Sequence, residues 1–329
     1  MLSLKVQVCA HIAALAHAEK GRNHRRNGPL GKTPAGAAIG AAQRAAAGPG
    51  SQKWVAAAAL PKKQNCPRSC LTPYGRNLPP RNTLKTSNMN IGIIGAGHIG
   101  SALAVRLVSF GHSVKIANSR GPETLGDVAQ KTGATPATAD EAAKHGEIIV
   151  VTIPLKNIPA LPQDLFAGVA ADVPIIDTSN YYPLLRDGKI AELETGDLTE
   201  SEWVQQHLGR PVVKVFNNIY ADHLQNKGVP AGTPGRISLP VAGDEPAAKQ
   251  KVMALVEELG FDAVDDGTLH ESWRQQPGTP SYGADLPADQ LRAHFASLGT
   301  QRTAAQHAEY LANHANAEEA MAAQGIKLK

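Results

Sequence analysis

The stretch that most constrains the fold of this 329-residue chain runs from position 89 to position 120 and reads MNIGIIGAGHIGSALAVRLVSFGHSVKIANSR. Its first apolar run predicts a buried strand, a glycine-rich turn follows directly, and apolar residues at helical spacing predict a helix that ends at Gly111. A second apolar run completes the order of strand, turn, helix and strand within about 30 residues. This order is typical of a dinucleotide-binding βαβ unit, because a strand and a helix flank the glycine motif.

The chemistry of the turn follows from its missing side chains. Gly95 allows the tight turn out of the strand, Gly97 lets the backbone approach a pyrophosphate, and Gly100 lets the helix pack closely on the strand. The helix dipole and the unpaired amides at the helix N-terminus attract the pyrophosphate. The alternative is a glycine-rich turn without a ligand, with His98 as a surface residue at the start of the helix. The predicted cofactor-binding loop consists of Gly95, Ala96, Gly97, His98, Ile99 and Gly100.

The residues after the second strand predict which nucleotide binds. An NAD site usually carries an acid about 20 residues beyond the glycines, whereas an NADP site has groups there that bind a phosphate. This position is occupied by Asn118, Ser119 and Arg120. A hydroxyl can donate to the 2′-phosphate, and a guanidinium can bind it through two charge-assisted hydrogen bonds. We therefore predict NADP(H), with a solvated loop charge as the alternative interpretation of Arg120.

Strands and helices alternate along the chain after this unit. Unbroken apolar runs predict strands that helices cover on both faces. Leu103, Leu107 and Phe110 are expected to form the buried face of the first helix, and Asp140 is expected to cap a later one. The pattern predicts an α/β fold, a Rossmann-type doubly wound parallel sheet with a small C-terminal helical part. The later predicted strands cover residues 134–138, 147–154, 174–180, 212–216, 236–244 and 261–267.

Residues 1–88 differ from the rest of the chain in composition. They hold 14 of the 33 Lys and Arg residues and only one of the 29 acids, Glu19. Their Ala, Gly and Pro content predicts disorder. A transit peptide and a basic tail for anionic surfaces are two interpretations. We favour a third, a start codon assigned too far upstream, because Met89 directly precedes the first strand.

The composition also bounds the location and the chemistry of the protein. The three cysteines, Cys9, Cys66 and Cys70, all lie before the first predicted strand, and we interpret them as incidental rather than as metal ligands. No stretch approaches the ~18 apolar residues of a membrane span. We expect a soluble, cytoplasmic protein without membrane or nucleic-acid partners. Its expected parts are a leader at 1–88, an NADP-binding domain at 89–245 and a C-terminal cap or dimerisation part at 246–329.

Open α/β sheets bind ligands beyond the carboxyl ends of their strands. Ile153 and Pro154 end one predicted strand, and we expect them to form a wall beside the nicotinamide. Asn180 and Asn217 follow the next two, and we expect their amides to bind cofactor or substrate. A loop proline and ordinary turn chemistry are the alternatives. The spacing of Lys214 to Asn218 resembles that in some hydroxyacid dehydrogenases, but the strand context favours an accidental match.

Residues 270–285, HESWRQQPGTPSYGAD, combine donors and aromatic rings with two prolines. Such a stiff loop is typical of a binding surface for a planar or anionic partner, and Arg274 and Tyr282 are tentative substrate residues. A packed structural loop or a subunit contact is the alternative. The nearby acids Asp262, Asp265 and Asp266 are interpreted as solvated turn acids rather than a cation site.

With these residues identified, the chain from 89 to about 285 resembles the coenzyme F420-dependent NADP oxidoreductases, also called NADPH-dependent F420 reductases. The resemblance implies a Rossmann NADP domain, dimerisation and direct hydride transfer between NADPH and a deazaflavin. By motif, Gly95 to Gly100 would hold the pyrophosphate, Ser119 and Arg120 the 2′-phosphate, and Ile153 and Pro154 would border the nicotinamide. The motifs are IGIIGAGHIG at 91–100, NSRGPETL at 118–125, VVKVFNNIYADHL at 212–224, LPVAGD at 239–244 and GFDAVDDGTLHESWRQQPGTPSYG at 260–283.

Hydride transfer to a flavin-like ring requires stacking at about 3 to 3.5 Å and exclusion of water more than a strong acid or base. This suits a sequence in which no catalytic residue is assigned and no metal is expected. We expect an NADP(H)-dependent reductase and homodimer, with coenzyme F420, a flavin or another small molecule as the acceptor. Two alternatives remain, an NADPH-binding sensor or scaffold without turnover and a small hydroxy- or imino-acid dehydrogenase. The dehydrogenase would place a Lys or an Asp beside the nicotinamide.

Overall fold

The computed structural model describes residues 88–196, 198–326 and 328. The predictions made for the leader, including its disorder, its start codon and its three cysteines, concern residues that lie outside this part apart from Asn88. They stay predictions.

Within the described residues, six parallel strands form the main sheet: β1 (Asn90–Ile94), β2 (Ser113–Ala117), β3 (Thr135–Pro136), β4 (Ile148–Val151), β5 (Ile175–Asp177) and β6 (Val212–Lys214). Their order across the sheet is β3-β2-β1-β4-β5-β6. The chain changes direction across the sheet between β1 and β4, which is the switch point where open α/β sheets bind ligands. The predicted Rossmann-type doubly wound parallel sheet is confirmed.

The helices of the described part lie between and after these strands. They are α1 (His98–Ser109), α2 (Gly126–Thr132), α3 (Ala139–His145), α4 (Ala191–Glu194), α5 (Glu200–Leu208), α6 (Ala221–Asn226), α7 (Pro246–Glu258), α8 (Ala288–Leu298) and α9 (Ala304–Ala323). A parallel pair, β7 (Ser238–Val241) and β8 (Asp262–Asp265), flanks α7 in the chain. No helix of the described part is long and apolar enough to cross a bilayer.

The strands bury side chains on both faces, which explains their unbroken apolar runs. Along β4, Val150 belongs to one core, whereas Ile149 and Val151 belong to the other. The first core also contains the buried faces of α1 and α7, and the second contains those of α3 and α5. Helices therefore cover the sheet on both sides.

The C-terminal elements continue the fold. The main chain of Lys214 exchanges two hydrogen bonds with Ala242, of 2.8 and 3.1 Å, and this antiparallel bridge joins the end of β6 to the residue after β7. Residues of α7 and β7 share a core with β1. The last two helices, α8 and α9, form the predicted helical part. The predicted division at 245/246 stays a prediction.

Three local predictions were wrong in detail. Phe110 is 41 % exposed, and the Arg106 guanidinium carbon lies 5.2 Å from the centroid of the Phe110 ring. The buried face of α1 therefore ends at Leu107. Thr138, not Asp140, caps α3, because its hydroxyl accepts from the amide of Glu141 and the Glu141 carboxylate accepts from the amide of Thr138. The third strand covers two residues rather than the five of the predicted run.

The packing of the glycine turn predicts that two similar substitutions change stability by different amounts. A Cβ at Gly100 would lie 1.9 Å from the carbonyl oxygen of Gly95, whereas a Cβ at Gly97 would meet nothing within 4 Å. We expect Gly100→Ala to lower the free energy of unfolding by about 1 to 3 kcal/mol or more. Gly97→Ala should change it by less than about 1 kcal/mol. Urea denaturation measures both, and equal effects would contradict the close contact.

Candidate functional site

The glycine turn leaves the N-terminus of α1 open to solvent. Gly95 has a φ of 124°, and its amide donates to the carbonyl of Ala117 at the end of β2, with an N to O distance of 2.9 Å. Gly97 is the N-cap of α1 and is exposed, and no side chain caps the helix there. The first amides of a 12-residue helix thus meet an uncovered backbone turn, as a phosphate site requires.

The loop after β2 presents Ser119 and Arg120 to solvent. Asn118 fixes this loop, because its Nδ2 donates to Thr124 Oγ1 at 2.8 Å and its Oδ1 accepts from the amide of Arg120 at 2.9 Å. Both the Ser119 and the Arg120 side chains are exposed, and neither forms a hydrogen bond or ion pair within the described part of the chain. Asn118 therefore fixes the loop, and its predicted contact with the cofactor stays a prediction. The side chains of Ser119 and Arg120 are available to a ligand.

The end of β4 lies against the glycine turn. The amide of Thr152 donates to the carbonyl of Ile94 at 2.8 Å. A Cβ at Gly95 would lie 2.1 Å from the Thr152 carbonyl oxygen and 3.1 Å from Ile153 Cγ2. Ile153 and Pro154 are both partly exposed. The structure therefore brings the expected nicotinamide wall next to the expected phosphate loop.

Two amide side chains connect the ends of β5 and β6. Asn180 Nδ2 donates to the main-chain carbonyl of Asn217 at 2.9 Å and to the Tyr282 hydroxyl at 3.1 Å. Asn217 Nδ2 donates to Asn180 Oδ1 at 3.2 Å and to the carbonyl of Gln275 at 2.9 Å. Three of the predicted site residues, Asn180, Asn217 and Tyr282, thus form one hydrogen-bonded group at the carboxyl edge of the sheet.

A pair of tyrosine hydroxyls adjoins these amides. The hydroxyls of Tyr182 and Tyr282 lie 2.6 Å apart. Burial raises the pKa of Tyr182 to about 12, and it also raises the pKa of Tyr282 well above its usual value. Both groups stay protonated at neutral pH, so the two hydroxyls act as neutral donors and acceptors. A charge lies next to them, because the Arg186 guanidinium is 5.1 Å from the Tyr182 ring centroid and donates to the carbonyl of Asn180.

A buried ionic cluster lies behind the ends of β5 and β6. Lys214 is 0 % exposed, with its Nζ 3.3 Å from Asp177 Oδ2 and 3.7 Å from Glu200 Oε2. The Ser201 hydroxyl donates to Asp177 at 2.6 Å, and the Tyr310 hydroxyl donates to Glu200 at 2.9 Å. Burial raises the pKa of Glu200 to about 7, and the Lys214 ammonium opposes that rise.

This cluster was missed in the sequence. Lys214 does lie in a strand, as its flanking residues predicted, so the helical spacing to Asn218 is accidental. A lysine and an aspartate inside two otherwise apolar strands were the available signal, because such residues are rarely buried unless they pair with each other.

The helix α9 packs its polar stripe on the residues after β5. Glu318 accepts from the amides of Leu184 and Leu185 at 3.2 and 3.0 Å, and burial raises its pKa. His314 lies edge-on to the Tyr182 ring with 5.3 Å between centroids, and burial lowers its pKa to about 4. Positions 310, 314, 318 and 321 lie on one face of the helix. The polar residues His314 and Glu318 are therefore buried on the same face as Tyr310 and Met321.

Arg274 contacts other residues than those that Tyr282 contacts. Its Nε lies 2.9 Å from Asp266 Oδ1, and its other nitrogens donate to the carbonyls of Asp266 and Gly299 at 2.7 and 3.2 Å. Asp266 is 0 % exposed, and burial raises its pKa to about 8, so its assignment as a solvated turn acid was wrong. These contacts hold the 266–299 region together. The substrate role of Arg274 stays a prediction that they do not support.

The remaining acids near this region are engaged in ion pairs. Asp262 pairs with Arg236 at 2.8 Å and Asp265 with Lys249 at 2.9 Å. Among the residues whose placement is described, no group of three or more His, Cys, Asp or Glu side chains has the geometry to hold a metal ion.

The strand order, the open helix N-terminus and the glycine contacts define a Rossmann-type dinucleotide-binding domain. Residues 90–181, from β1 to the loop after β5, match the family model described as NADP oxidoreductase coenzyme F420-dependent. The chain belongs to this family. The match contains the glycine turn, the Ser119 to Arg120 loop and Asn180, but it ends before Asn217 and Tyr282.

Individual relatives match parts of the chain. The Escherichia coli K12 protein YjhV is 55% identical over 67 residues, which are 20% of this chain and 49% of that protein. The 3-sulfolactaldehyde reductase of the same strain is 30% identical over 110 residues, 32% of this chain and 36% of the reductase. This chain thus spans half or less of the length of these curated relatives.

One solved structure matches over nearly its full length. A hypothetical protein from Sinorhizobium meliloti is 31% identical, with a TM-score of 0.51, and the match covers 60% of this chain and 95% of that one. The family model is described as one of NADP oxidoreductases, and one of the curated relatives is named as a reductase.

The buried Glu200 predicts a characteristic pH dependence of stability. Its carboxyl ionises near pH 4.5 in the unfolded chain but near pH 7 in the folded protein. Since the folded state binds the proton more tightly, wild-type stability should fall as pH rises between these values, by at most about 1.4 kcal/mol per pH unit. Glu200→Gln removes this contribution, so its unfolding free energy relative to wild type should rise from pH 5 to pH 7 and then level off.

Urea denaturation between pH 5 and pH 8 measures this difference, with Glu192→Gln, at an exposed position of α4, as the control. A constant difference between Glu200→Gln and wild type would contradict the raised pKa.

Proposed function

We propose that this protein is an NADP(H)-dependent reductase that transfers a hydride between NADPH and a flavin-like or other small planar acceptor. The observation that carries the proposal is the open N-terminus of α1 next to the exposed Ser119 and Arg120. A pyrophosphate and a 2′-phosphate would find amides, a hydroxyl and a guanidinium on one continuous surface.

The residues that would hold NADP(H) fit its chemistry. The glycine turn offers main-chain amides without side chains in the way, since a Cβ at Gly97 meets no neighbour within 4 Å. No acid stands at the end of β2 to repel a 2′-phosphate. Ile153 and Pro154 offer a partly exposed apolar surface to the nicotinamide ring. When bound, the reduced nicotinamide supplies the hydride.

The acceptor side would present neutral polar groups to the ligand, with the Arg186 guanidinium beside the Tyr182 ring. Asn180, Tyr182 and Tyr282 form a hydrogen-bonded rim beyond β5 and carry no charge at neutral pH. Such a rim orients a planar heterocycle through hydrogen bonds, and the apolar surface of Ile153 excludes water beside it. These groups position the two reactants, and the hydride transfer needs no strong acid or base from the protein.

The buried lysine argues against a small hydroxyacid dehydrogenase. Such an enzyme needs a lysine or an aspartate that contacts the substrate. Lys214 and Asp177 are both 0 % exposed and bind each other, and Lys214 also donates to the carbonyl of Ser179. Their charges support the strand ends from behind the sheet edge. The expected homodimer and the cytoplasmic location rest on the resemblance and the composition alone, and they stay predictions.

The phosphate-site proposal predicts a preference for NADPH that depends on Arg120. Wild-type protein should bind NADPH at least about tenfold more tightly than NADH at low salt, a difference of about 1.4 kcal/mol. Arg120→Ala should remove most of this gap by weakening NADPH alone. Isothermal titration calorimetry of the full chain measures both affinities. Arg292→Ala, which removes an exposed arginine from α8, is the control for net charge.

Equal binding of the two nucleotides by wild-type protein, or a gap that survives in Arg120→Ala, would contradict the assignment of the 2′-phosphate site.

The acceptor proposal predicts turnover with flavin-like rings. We expect NADPH oxidation, measured by its absorbance, when coenzyme F420, FMN or riboflavin is supplied, and transfer of deuterium from labelled NADPH to the deazaflavin product. Tight NADPH binding with no oxidation by any of the three would contradict the flavin-like acceptor and would favour a sensor without turnover.

A further inference from the structure

The chain takes an unusual conformation just before Asn217. Phe216 is fully buried and has a φ of 64°, in the left-handed region that a bulky residue rarely adopts. The strained residue lies two positions after the end of β6 and directly precedes Asn217, which is 3% exposed. Strain of this kind persists where the surrounding structure holds it, and it is frequent at ligand sites.

The orientation of the Asn217 amide is fixed by its neighbours. One Nδ2 hydrogen meets the main-chain carbonyl of Gln275, which can only accept. The other meets Asn180 Oδ1, and the Asn180 amide is itself oriented because its Nδ2 donates to the main-chain carbonyl of Asn217. Both Asn217 donors are thereby used, and its Oδ1 is left as the atom that faces away from these partners.

This Oδ1 is buried and has no hydrogen-bond partner. A buried acceptor without a donor is unfavourable, and such atoms in folded proteins call for an explanation. Asn180 is partly exposed and bonds both to Asn217 and to the partly exposed Tyr282. A ligand that reaches Asn180 therefore lies next to the side chain that carries the unpaired oxygen.

We propose that Asn217 Oδ1 accepts a hydrogen bond from a planar N–H group of a bound ligand. The inference rests on the proposed function, which brings two such groups to the sheet edge: the carboxamide of nicotinamide and the imide N–H of a flavin-like ring. Either donor satisfies the oxygen without disturbing the two bonds that Asn217 Nδ2 makes. Asn217 thereby fixes which way the ring lies at the edge of the sheet.

The first part of the test compares ligands that have the N–H group with analogues that lack it. For the nicotinamide, NADP⁺ is compared with its 3-acetylpyridine analogue, which has a methyl ketone in place of the carboxamide. For the acceptor, riboflavin is compared with 3-methylriboflavin in the presence of saturating NADP⁺. Calorimetric titration of the full chain gives the affinity of each ligand.

We expect one of the two pairs to show at least about tenfold weaker binding of the analogue to the wild-type protein. In Asn217→Leu this discrimination should disappear, because the acceptor atom is gone. Discrimination in the nicotinamide pair assigns the bond to the cofactor, and discrimination in the riboflavin pair assigns it to the acceptor. If the leucine variant fails to fold, the smaller Asn217→Ala, which also removes the acceptor atom, should show the same loss of discrimination.

Asn218→Leu is the matched control, since Asn218 is also buried with an unpaired Oδ1 but belongs to the crevice beside β7. It should discriminate as the wild type does. NADP⁺ binding without any discrimination that depends on Asn217 would overturn this inference and leave the proposed function intact. Failure of the wild-type protein to bind NADP⁺ would overturn both.

Discussion

The structure depends on main-chain atoms at the end of β1 touching the main chain that follows β4. A side chain at Gly95 would overlap the carbonyl of Thr152, and the Gly95 amide is bonded to the end of β2. Three strand ends therefore meet at one point where no side chain fits. The same absence of side chains that permits this contact leaves the first amides of α1 uncovered, so the close packing of the turn and the open helix N-terminus have one cause.

The carboxyl ends of β5 and β6, at the other side of the sheet edge, are held together by different contacts. The ends of β5 and β6 are joined by side chains, with amides and hydroxyls in front and a buried ionic cluster behind. A buried ion pair gains little net stability because desolvation opposes the attraction, but removing one partner is costly. Lys214 and Asp177 thus specify the relative position of two short strands more than they stabilise them. The amides of Asn180 and Asn217 are carried by the segments that this pair fixes.

The sequence predicted the structure of the β1–α1–β2 part better than that of the sheet edge beyond β5 and β6. Local spacing determines the glycine turn, and the alternation of strands and helices indicates a parallel sheet, so both were available without coordinates. The pairing of Asn180 with Tyr282 joins residues 102 positions apart, and no local pattern reports such a contact. Asp266 was misjudged for the same reason, because its burial depends on Arg274 and on helices beyond it. Thr138 was different, since its capping box with Glu141 was visible in the sequence.

The docking of α9 has a consequence for the order in which the molecule can assemble. The contacts of β1, α1 and β2 join residues close in the chain, whereas Glu318 binds amides more than 130 residues upstream and Tyr310 binds Glu200 across 110 residues. Contacts of such separation form late, because closing a long loop costs entropy before any contact rewards it. During synthesis the part formed by β1, α1 and β2 can therefore reach its native form before the last helix is made, whereas the residues beyond β5 and β6 wait for α9. The two parts of the sheet edge thus mature at different times.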